Sequence, residues 1–254
     1  MLYACFFLIQ LLYLIKMLKK IMSNMPKMWI SLVFLAVLNS GAVFSQEIIT
    51  AEQYMRTVSE TYAQINDYEA GITIRSSNNE MIGNASYRSP SFMRIDFTRP
   101  AEQVIVFNGE LLTVYLPEFR AVLSQSINPS RRASSTTGAS LASAQGLNLL
   151  RQNYVPSFVT DPNPEPLEAN SRERVVKIRL TRRSIAEGFR EIILSVNPDT
   201  KLIRRIEGRT IADNEIRFDF TNIKTNVGIP EQRFIYDPPA TANMYNNFLF
   251  RDSD

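Results

Sequence analysis

The chain has 254 residues, of which 28 are Lys or Arg, 25 are Asp or Glu, none is His and one is Cys. Without His, neither a Ser-His-Asp triad nor a His-ligated metal centre can form. One Cys excludes an internal disulfide and a CxxC site, and no glycine-rich phosphate-binding motif occurs. We therefore expect a protein that is not an enzyme and that holds no cofactor or metal.

The positive net charge of +3 is concentrated at the N-terminus. Residues 1–45 contain four lysines and no acidic residue, so the rest of the chain has 24 basic and 25 acidic residues. A basic protein often binds nucleic acid, but here the excess charge belongs to the leader. The sequence therefore argues against a nucleic-acid partner.

Residues 1–45 have the features of a signal peptide. The apolar segment 29–43 follows a lysine and ends in small residues, which is the order of a cleavable export signal. We predict cleavage after Ser45 and interpret residues 1–21 as an extension from a misplaced start, with an uncleaved signal anchor as the alternative. Cys5 precedes the apolar segment, which excludes its use as a lipidated cysteine. An exported chain without disulfides suits a bacterial periplasm.

The remaining residues, 46–254, are interpreted as a single domain of the mainly β (α+β) class. An amphipathic helix is predicted over residues 50–66, with Thr50 as N-cap. After Asp67 the apolar residues recur at every second position, as in antiparallel strands with one apolar and one polar face. Turn residues such as Asn108-Gly109 separate these runs. We count about eleven strands, and a sheet of that size is expected to curl around its apolar face.

One long segment, residues 128–153, does not follow the strand pattern. It begins with polar residues and becomes compatible with a helix that presents Leu141, Leu149 and Leu150. Two interpretations remain open, a flexible surface connection with a short helix and a lid over the mouth of the curled sheet.

The apolar face of the sheet has two possible fates. Helices can fill it as a core, or they can leave a cavity for an apolar ligand. On the other face, carboxylates such as Asp96 and Asp219 alternate with arginines, and we interpret them as solvated cross-strand ion pairs. A two-carboxylate hydrolase is the alternative for these residues, and no motif supports it.

Residues 90–117 read PSFMRIDFTRPAEQVIVFNGELLTVYLP. This order of prolines, apolar strands and an Asn-Gly turn resembles the signature block of the outer-membrane lipoprotein carrier family, which has the LolA/LolB-type fold. The matching residues are Pro90, Arg94, Pro100, Gln103, Asn108, Gly109, Leu112, Tyr115 and Pro117. Residues 192–206 and 234–239 resemble a hairpin and the closing strand of the same family, so the resemblance covers nearly all of residues 50–240.

The resemblance implies an unclosed, strongly curved antiparallel β-barrel with an N-terminal helix and a helical lid. It also implies a monomeric periplasmic chaperone that binds the acyl chains of lipoproteins and carries them from the inner to the outer membrane. The implied partners are acylated lipoproteins, an inner-membrane ABC-type release complex and an outer-membrane acceptor. A periplasmic regulator that senses lipids or lipoproteins with the same fold is the alternative.

Strand alternation predicts which residues line an acyl cavity. They are Ile72, Ile74, Met93, Ile95, Phe97, Val104, Val106, Leu112, Val114, Leu116, Ile192, Leu194, Ile216, Phe218 and Phe220. The predicted lid contacts are Arg88, Leu141, Leu149 and Leu150. The family resemblance places a lid-holding Arg directly before the first proline of the block, where this chain has Ser89. On these assignments Ile95→Glu should abolish acyl binding and Asp96→Lys should have little effect.

Overall fold

The computed structural model describes residues 49–77, 79–127 and 142–248, and the chain from Ile49 onward forms one compact unit. The predicted signal peptide lies outside the described residues. The helices are α1 (Ala51–Ala63) and α2 (Ala144–Asn153). The strands are β1 (Asp67–Ser76), β2 (Asn79–Arg88), β3 (Phe92–Arg99), β4 (Val104–Phe107), β5 (Leu111–Leu116), β6 (Ala121–Ser126), β7 (Tyr154–Phe158), β8 (Glu165–Pro166), β9 (Arg174–Arg182), β10 (Phe189–Val196), β11 (Ile203–Thr210), β12 (Glu215–Thr225) and β13 (Asn243–Asn246).

One sheet contains these strands in the order β13-β6-β5-β4-β3-β2-β1-β12-β11-β10-β9-β7, with β8 as a short branch on β9. Its two end strands, β13 and β7, do not pair with each other in the described part of the chain, so the curled sheet stays open. The predicted mainly β, unclosed antiparallel fold is confirmed. The structure has thirteen strands rather than about eleven, because β8 and β13 are too short to show alternation.

The single departure from antiparallel pairing among the described strands is β13, which runs parallel to β6. At the other end of the sheet, β7 contains Pro156 at its centre, where it pairs with Leu180 of β9. Proline lacks the N–H that a central strand needs, so β7 is suited to an edge position.

Helix α1 begins with a capping box. The Gln53 amide donates to Thr50 Oγ1 at 3.2 Å, and the Thr50 amide donates to Gln53 Oε1 at 2.8 Å, so two amide groups at the helix start are satisfied. The helix ends at Ala63 rather than at residue 66. Its buried stripe of Tyr54, Met55 and Val58 faces the sheet.

The concave face of the sheet holds the main core. Residues that pair across antiparallel strands share a face, and the chain of pairs Phe220–Ile72, Ile72–Gly83 and Gly83–Phe97 runs along the concave side. A Cβ on Gly83 would lie 2.4 Å from the carbonyl oxygen of Asp96. Glycine is therefore required at this bulge, which lets β2 and β3 approach closely where the sheet bends.

The convex face is not uniformly exposed to water. Residues 229–246, here called the C-terminal strap, cross it from β2 to the edge of β6. The strap begins where Arg88 of β2 donates to the carbonyl of Ile229 at 3.2 Å. It continues through a 3₁₀ turn, Glu231–Phe234, and ends as β13.

Candidate functional site

The concave face of β1, β2 and β9–β12 is filled by the two helices. Buried residues of α1 and α2, including Val58 and Leu147, belong to the same core cluster as Ile178, Leu194 and Ile206 of the strands. Six of the predicted cavity residues lie here, namely Ile72, Ile74, Ile192, Leu194, Phe218 and Phe220, and all are buried. Ile216 is partly buried against the same cluster. In this half of the sheet the apolar face is a core.

The concave face of β4–β6 is different, because its apolar side chains are only partly buried. We call this surface the open wall and define it as Ile105, Phe107, Leu112, Val114, Leu116 and Leu123. The pairs Ile105–Val114, Phe107–Leu112 and Val114–Leu123 place these side chains on one face. The predicted cavity residues Leu112, Val114 and Leu116 belong to the open wall. Met93, Ile95 and Phe97 of β3, all buried, lie between the open wall and the filled half.

The placement of Val104 and Val106 in the cavity lining was wrong. Val104 pairs with Asp96 and Val106 with Arg94, which puts both valines on the convex face, where they are buried. All four residues of β4 are apolar, so alternation could not tell its two faces apart. Ile105 and Phe107, which the sequence analysis missed, occupy the concave positions, and the register with Ile95 and Met93 of β3 was the signal that could have found them.

Helix α2 is the part of the predicted lid that the structure describes; residues 128–141, including Leu141, lie outside the described residues. Ser143 caps its first turn by accepting from the Gly146 amide at 3.1 Å. Leu147 and Leu150 are buried against the core, whereas Leu149 is only partly buried. The buried apolar contacts of the helix with the core are thus made by Leu147 and Leu150.

Arg88 was wrongly assigned to the lid. It lies on the convex face, one residue after the inward-facing Tyr87, and binds the strap rather than α2. A strand residue next to an inward-facing one necessarily points outward, so the side chain cannot reach the concave face.

Tyr87 is the residue of β2 that contacts α2. Its hydroxyl donates to the carbonyl of Pro90 at 3.1 Å and lies 3.2 Å from Gln145 Oε1 in the first turn of α2. Its ring stacks on Tyr68, with centroids 5.1 Å apart. Burial raises the pKa of the Tyr87 hydroxyl above its ordinary value, so it remains a donor at neutral pH. The sequence analysis missed this residue, because an aromatic at a concave position is indistinguishable from ordinary core.

A cluster of charged groups fixes the C-terminal strap to the convex face of β2 and β3. Asp96 accepts from Arg94 at 2.8 Å and also from Arg233 of the strap. Arg233 Nε lies 3.3 Å from Ser86 Oγ. Arg94 in turn donates to the strap carbonyls of Arg233 and Ile235 at 3.2 and 3.3 Å. Asp96 was predicted to form a solvated cross-strand ion pair; the structure shows it in ion pairs, but with Arg94 of its own strand and with Arg233 of the strap that covers it.

Electrostatics keep Asp96 ionised. Burial opposes its ionisation, but the hydrogen bonds and charges of Arg94 and Arg233 outweigh that cost and hold the pKa of the carboxyl below its ordinary value. Aromatic contacts complete the attachment, since Phe234 packs on Phe92 with ring centroids 5.5 Å apart. The strap is thus fixed to β2 and β3, and it reaches the strands of the open wall through Tyr236, which packs on Tyr115 of β5, and through the pairing of β13 with β6.

The convex face of the filled half carries a second cluster of charges. Asp219 pairs with Arg75 at 2.9 Å and Arg217 at 3.0 Å, and also with the buried Arg205. Hydrogen bonding and charge from Arg205 lower the pKa of Glu168 in the loop after β8. A neighbouring groove of about 610 Å³ is lined mostly by charged side chains. These groups pair with one another, which is the arrangement of a structural ion-pair network.

The concave side of β4–β6 offers an apolar contact surface. Among the described residues, no three His, Cys, Asp or Glu side chains are grouped to hold a metal ion. No described helix is both long and apolar enough to cross a bilayer. The feature that remains is a partly exposed apolar wall inside a curled, open sheet.

Solved structures that align with this chain share little sequence with it. An uncharacterized conserved protein from Thermus thermophilus aligns with a TM-score of 0.50 and 11% identity, covering 77% of this chain and 98% of its own. The lipoprotein LppX of Mycobacterium tuberculosis gives 0.46 and 11%, covering 71% and 97%. MucB in its complex with MucA from Pseudomonas aeruginosa gives 0.45 and 16%, covering 76% and 62%.

No curated protein matches the chain in sequence. Residues 53–237, however, match the sequence family named Outer membrane lipoprotein carrier protein LolA. The match extends from α1 into the first half of the C-terminal strap and includes residues 90–117, where the resemblance was found. The chain therefore belongs to the LolA family.

Proposed function

We propose that this protein is a periplasmic carrier that binds the acyl chains of lipoproteins against the open wall and moves them from the inner to the outer membrane. The observation that carries the proposal is the contrast between the open wall and the helix-filled half of the same concave face. An acyl chain gains about 0.8 kcal/mol for each CH₂ taken out of water, and six partly exposed apolar side chains offer it a surface inside the sheet.

The partners follow from this role. Acylated lipoproteins are the cargo, an inner-membrane ABC-type release complex supplies them, and an outer-membrane acceptor receives them. The remaining parts of the proposal are export by a signal peptide cleaved after Ser45, a single carrier domain over residues 46–254 with its lid in residues 128–153, and a monomeric state. N-terminal sequencing of the exported protein tests the cleavage site.

The decisive experiment adds the exported protein to spheroplasts that contain freshly labelled lipoproteins. We expect triacylated lipoprotein to appear in the soluble fraction as a complex with this protein. Native mass spectrometry identifies the bound species. Bound free lipid without released lipoprotein would instead indicate the regulator that senses lipids. If the protein carries neither lipoprotein nor free lipid, the acyl-binding function is contradicted.

Leu112→Glu tests whether the open wall is the binding surface. A charge at this partly exposed position prevents apolar contact between the open wall and an acyl chain, and it does not enter the closed core. We expect at least about tenfold weaker acyl binding. Leu111→Glu is the matched control, because Leu111 is exposed on the opposite face of the same strand. Equal losses in both variants would contradict the assignment. Ile95→Glu is less informative, since Ile95 is buried and a charge there would unfold the protein.

A further inference from the structure

The turns of the antiparallel sheet fall at two opposite ends of the strands. Turns after β1, β3, β5, β9 and β11 lie at one end, and turns after β2, β4, β10 and β12 lie at the other. We call the first the apolar end; its turns are residues 77, 100–103, 117–120, 183–188 and 211–214. We call the second the polar end; its turns are residues 89–91, 108–110, 197–202 and 226–228.

Three turns of the apolar end expose a bulky apolar side chain at or near their tips. Ile185 is 86% exposed, Phe119 68% and Ile211 58%. Ala186 and Ala212, beside the two isoleucines, are exposed as well. Scattered exposed apolar residues are normal on proteins, but these three share one end of the sheet and point away from the core.

The polar end shows what turns of this sheet ordinarily contain. Its turns include Asn108-Gly109 and Asn197-Pro198-Asp199, which are residues selected for turn geometry. It exposes Val227 at 47%, Leu111 beside the β4–β5 turn at 38% and Phe248 after β13 at 36%, so each is less exposed than the three apolar side chains at the other end. Turn geometry alone therefore does not explain isoleucine and phenylalanine at the apolar end.

Four backbone amides of the two isoleucine turns have hydrogen-bond partners within the turn. In the β9–β10 turn, Ser184 accepts from the amide of Ala186 at 3.2 Å through its hydroxyl and from that of Glu187 at 3.4 Å through its carbonyl. In the β11–β12 turn, Thr210 accepts in the same two ways from Asn214 and Asp213, each at 3.1 Å. Tips whose amides have internal partners can leave water at a lower cost than tips whose amides depend on it.

The charges around the two isoleucine turns balance. Residues 182–191 and 209–215 contain four arginines and four acidic residues. Arg190 pairs with Asp213 at 3.5 Å, and Arg209 pairs with Glu215 at 2.7 Å. A surface with balanced charge is not drawn to an anionic partner, so any affinity at this end comes from the apolar side chains.

We propose that the apolar end is a membrane-contact surface, whose three tips enter the interface of a lipid bilayer without requiring anionic lipid. The apolar tips lie on separate turns: in the sheet order, the polar turns at Ser77 and Pro100–Gln103 lie between Phe119 and Ile211. Separated tips of this kind suit a deformable apolar phase better than a rigid protein pocket. The biological sense of the contact rests on the proposed function, because a carrier that meets the bilayer shortens the exposure of an acyl chain to water.

Flotation with vesicles of pure phosphatidylcholine tests this surface on the exported protein. We expect the protein to float with the vesicles, and the double variant Ile185→Ser/Ile211→Ser to partition at least about tenfold less. Val227→Ser, at the polar end, is the matched control and should partition like the unchanged protein. Added anionic lipid or high salt should alter the partition little.

Fluorescence gives a second readout that does not depend on loss of binding. The chain's single Trp is Trp29 in the leader, so Ile185→Trp in the exported protein cleaved after Ser45 places one fluorophore at a tip. Its emission should shift to shorter wavelength when vesicles are added, and that of Val227→Trp should not. All the substituted positions are exposed, so urea unfolding should show unchanged stability.

Three outcomes overturn the proposal: no flotation with phosphatidylcholine, flotation abolished by salt, or equal losses in the Ile185→Ser/Ile211→Ser and Val227→Ser proteins. If the protein does not float with phosphatidylcholine, the apolar end is instead a contact surface for a protein partner. Acyl binding in solution can be measured without vesicles, by comparing the unchanged protein with Leu112→Glu. If the protein binds acyl chains in solution but does not float, the membrane contact is wrong and the carrier function stands. If the protein floats but does not bind acyl chains, the carrier function alone is rejected.

Discussion

The two halves of the concave face are built from the same kind of strand but end in different states. In β1, β2 and β9–β12, apolar side chains are buried under α1 and α2. In β4–β6, side chains of the same chemistry remain partly exposed. Alternation thus identifies an apolar face, whereas the elements packed on that face decide whether it becomes core or stays partly exposed.

The largest expected effect compares one residue type in both halves. Leu194→Ala should lower the free energy of unfolding by about 2–5 kcal/mol, because Leu194 is fully buried and its loss leaves a cavity. Leu112→Ala should cost less than about 1 kcal/mol, because part of that side chain already contacts water. Urea unfolding measures both, and similar losses would show that the open wall is as much a core as the filled half.

A smaller effect tests how the open half is supported from outside. The lowered pKa of Asp96 means that its stabilisation is present above the ordinary carboxyl pKa of about 3.9 and is lost as pH falls through the lower folded-state value. Asp96→Asn should therefore lower the free energy of unfolding at neutral pH. The decrease of that free energy as the pH falls into the acid range should be smaller in the variant. Glu118→Gln, at an exposed site, is the control and should leave the free energy of unfolding at neutral pH unchanged. An identical acid profile for Asp96→Asn would mean that the strap does not depend on this carboxylate.

The smallest effect concerns the attachment of α2 over the filled half. Tyr87→Phe removes the hydroxyl near Gln145 and Pro90 and should cost about 1 kcal/mol. Hydrogen exchange in residues 144–153 should increase. Tyr54→Phe is the matched control, because the buried Tyr54 hydroxyl has no hydrogen-bond partner in the described part of the chain. If both variants exchange alike, the Tyr87 hydroxyl does not hold the helix.

Strand alternation was sufficient wherever the two faces differ in chemistry. In β3, Met93, Ile95 and Phe97 alternate with charged or polar residues, and their concave placement was predictable. In β4 the convex face is also apolar, since Val104 and Val106 lie buried there, and these two residues were assigned to the wrong side. The open sheet and the short helix followed from pattern and family resemblance.

The C-terminal strap could not be predicted from local pattern. Asp96 and Arg233 are 137 residues apart in the chain, and an Arg-Asp alternation reads the same whether water or another segment covers it. The division into filled and open halves was equally hidden, because it depends on where α1 and α2 pack. Tertiary contacts of high sequence separation decided each of these points.

The two edges of the sheet, at β7 and at β13, affect how the protein behaves at high concentration. A long open sheet normally offers unpaired edges on which further chains can add, leading to aggregates. Here one edge strand is interrupted by Pro156, which cannot donate to an incoming strand, and the edge of β6 is already occupied by a four-residue parallel strand. The molecule can therefore keep its curled sheet open toward a ligand while its edges resist the intermolecular pairing that would precipitate it.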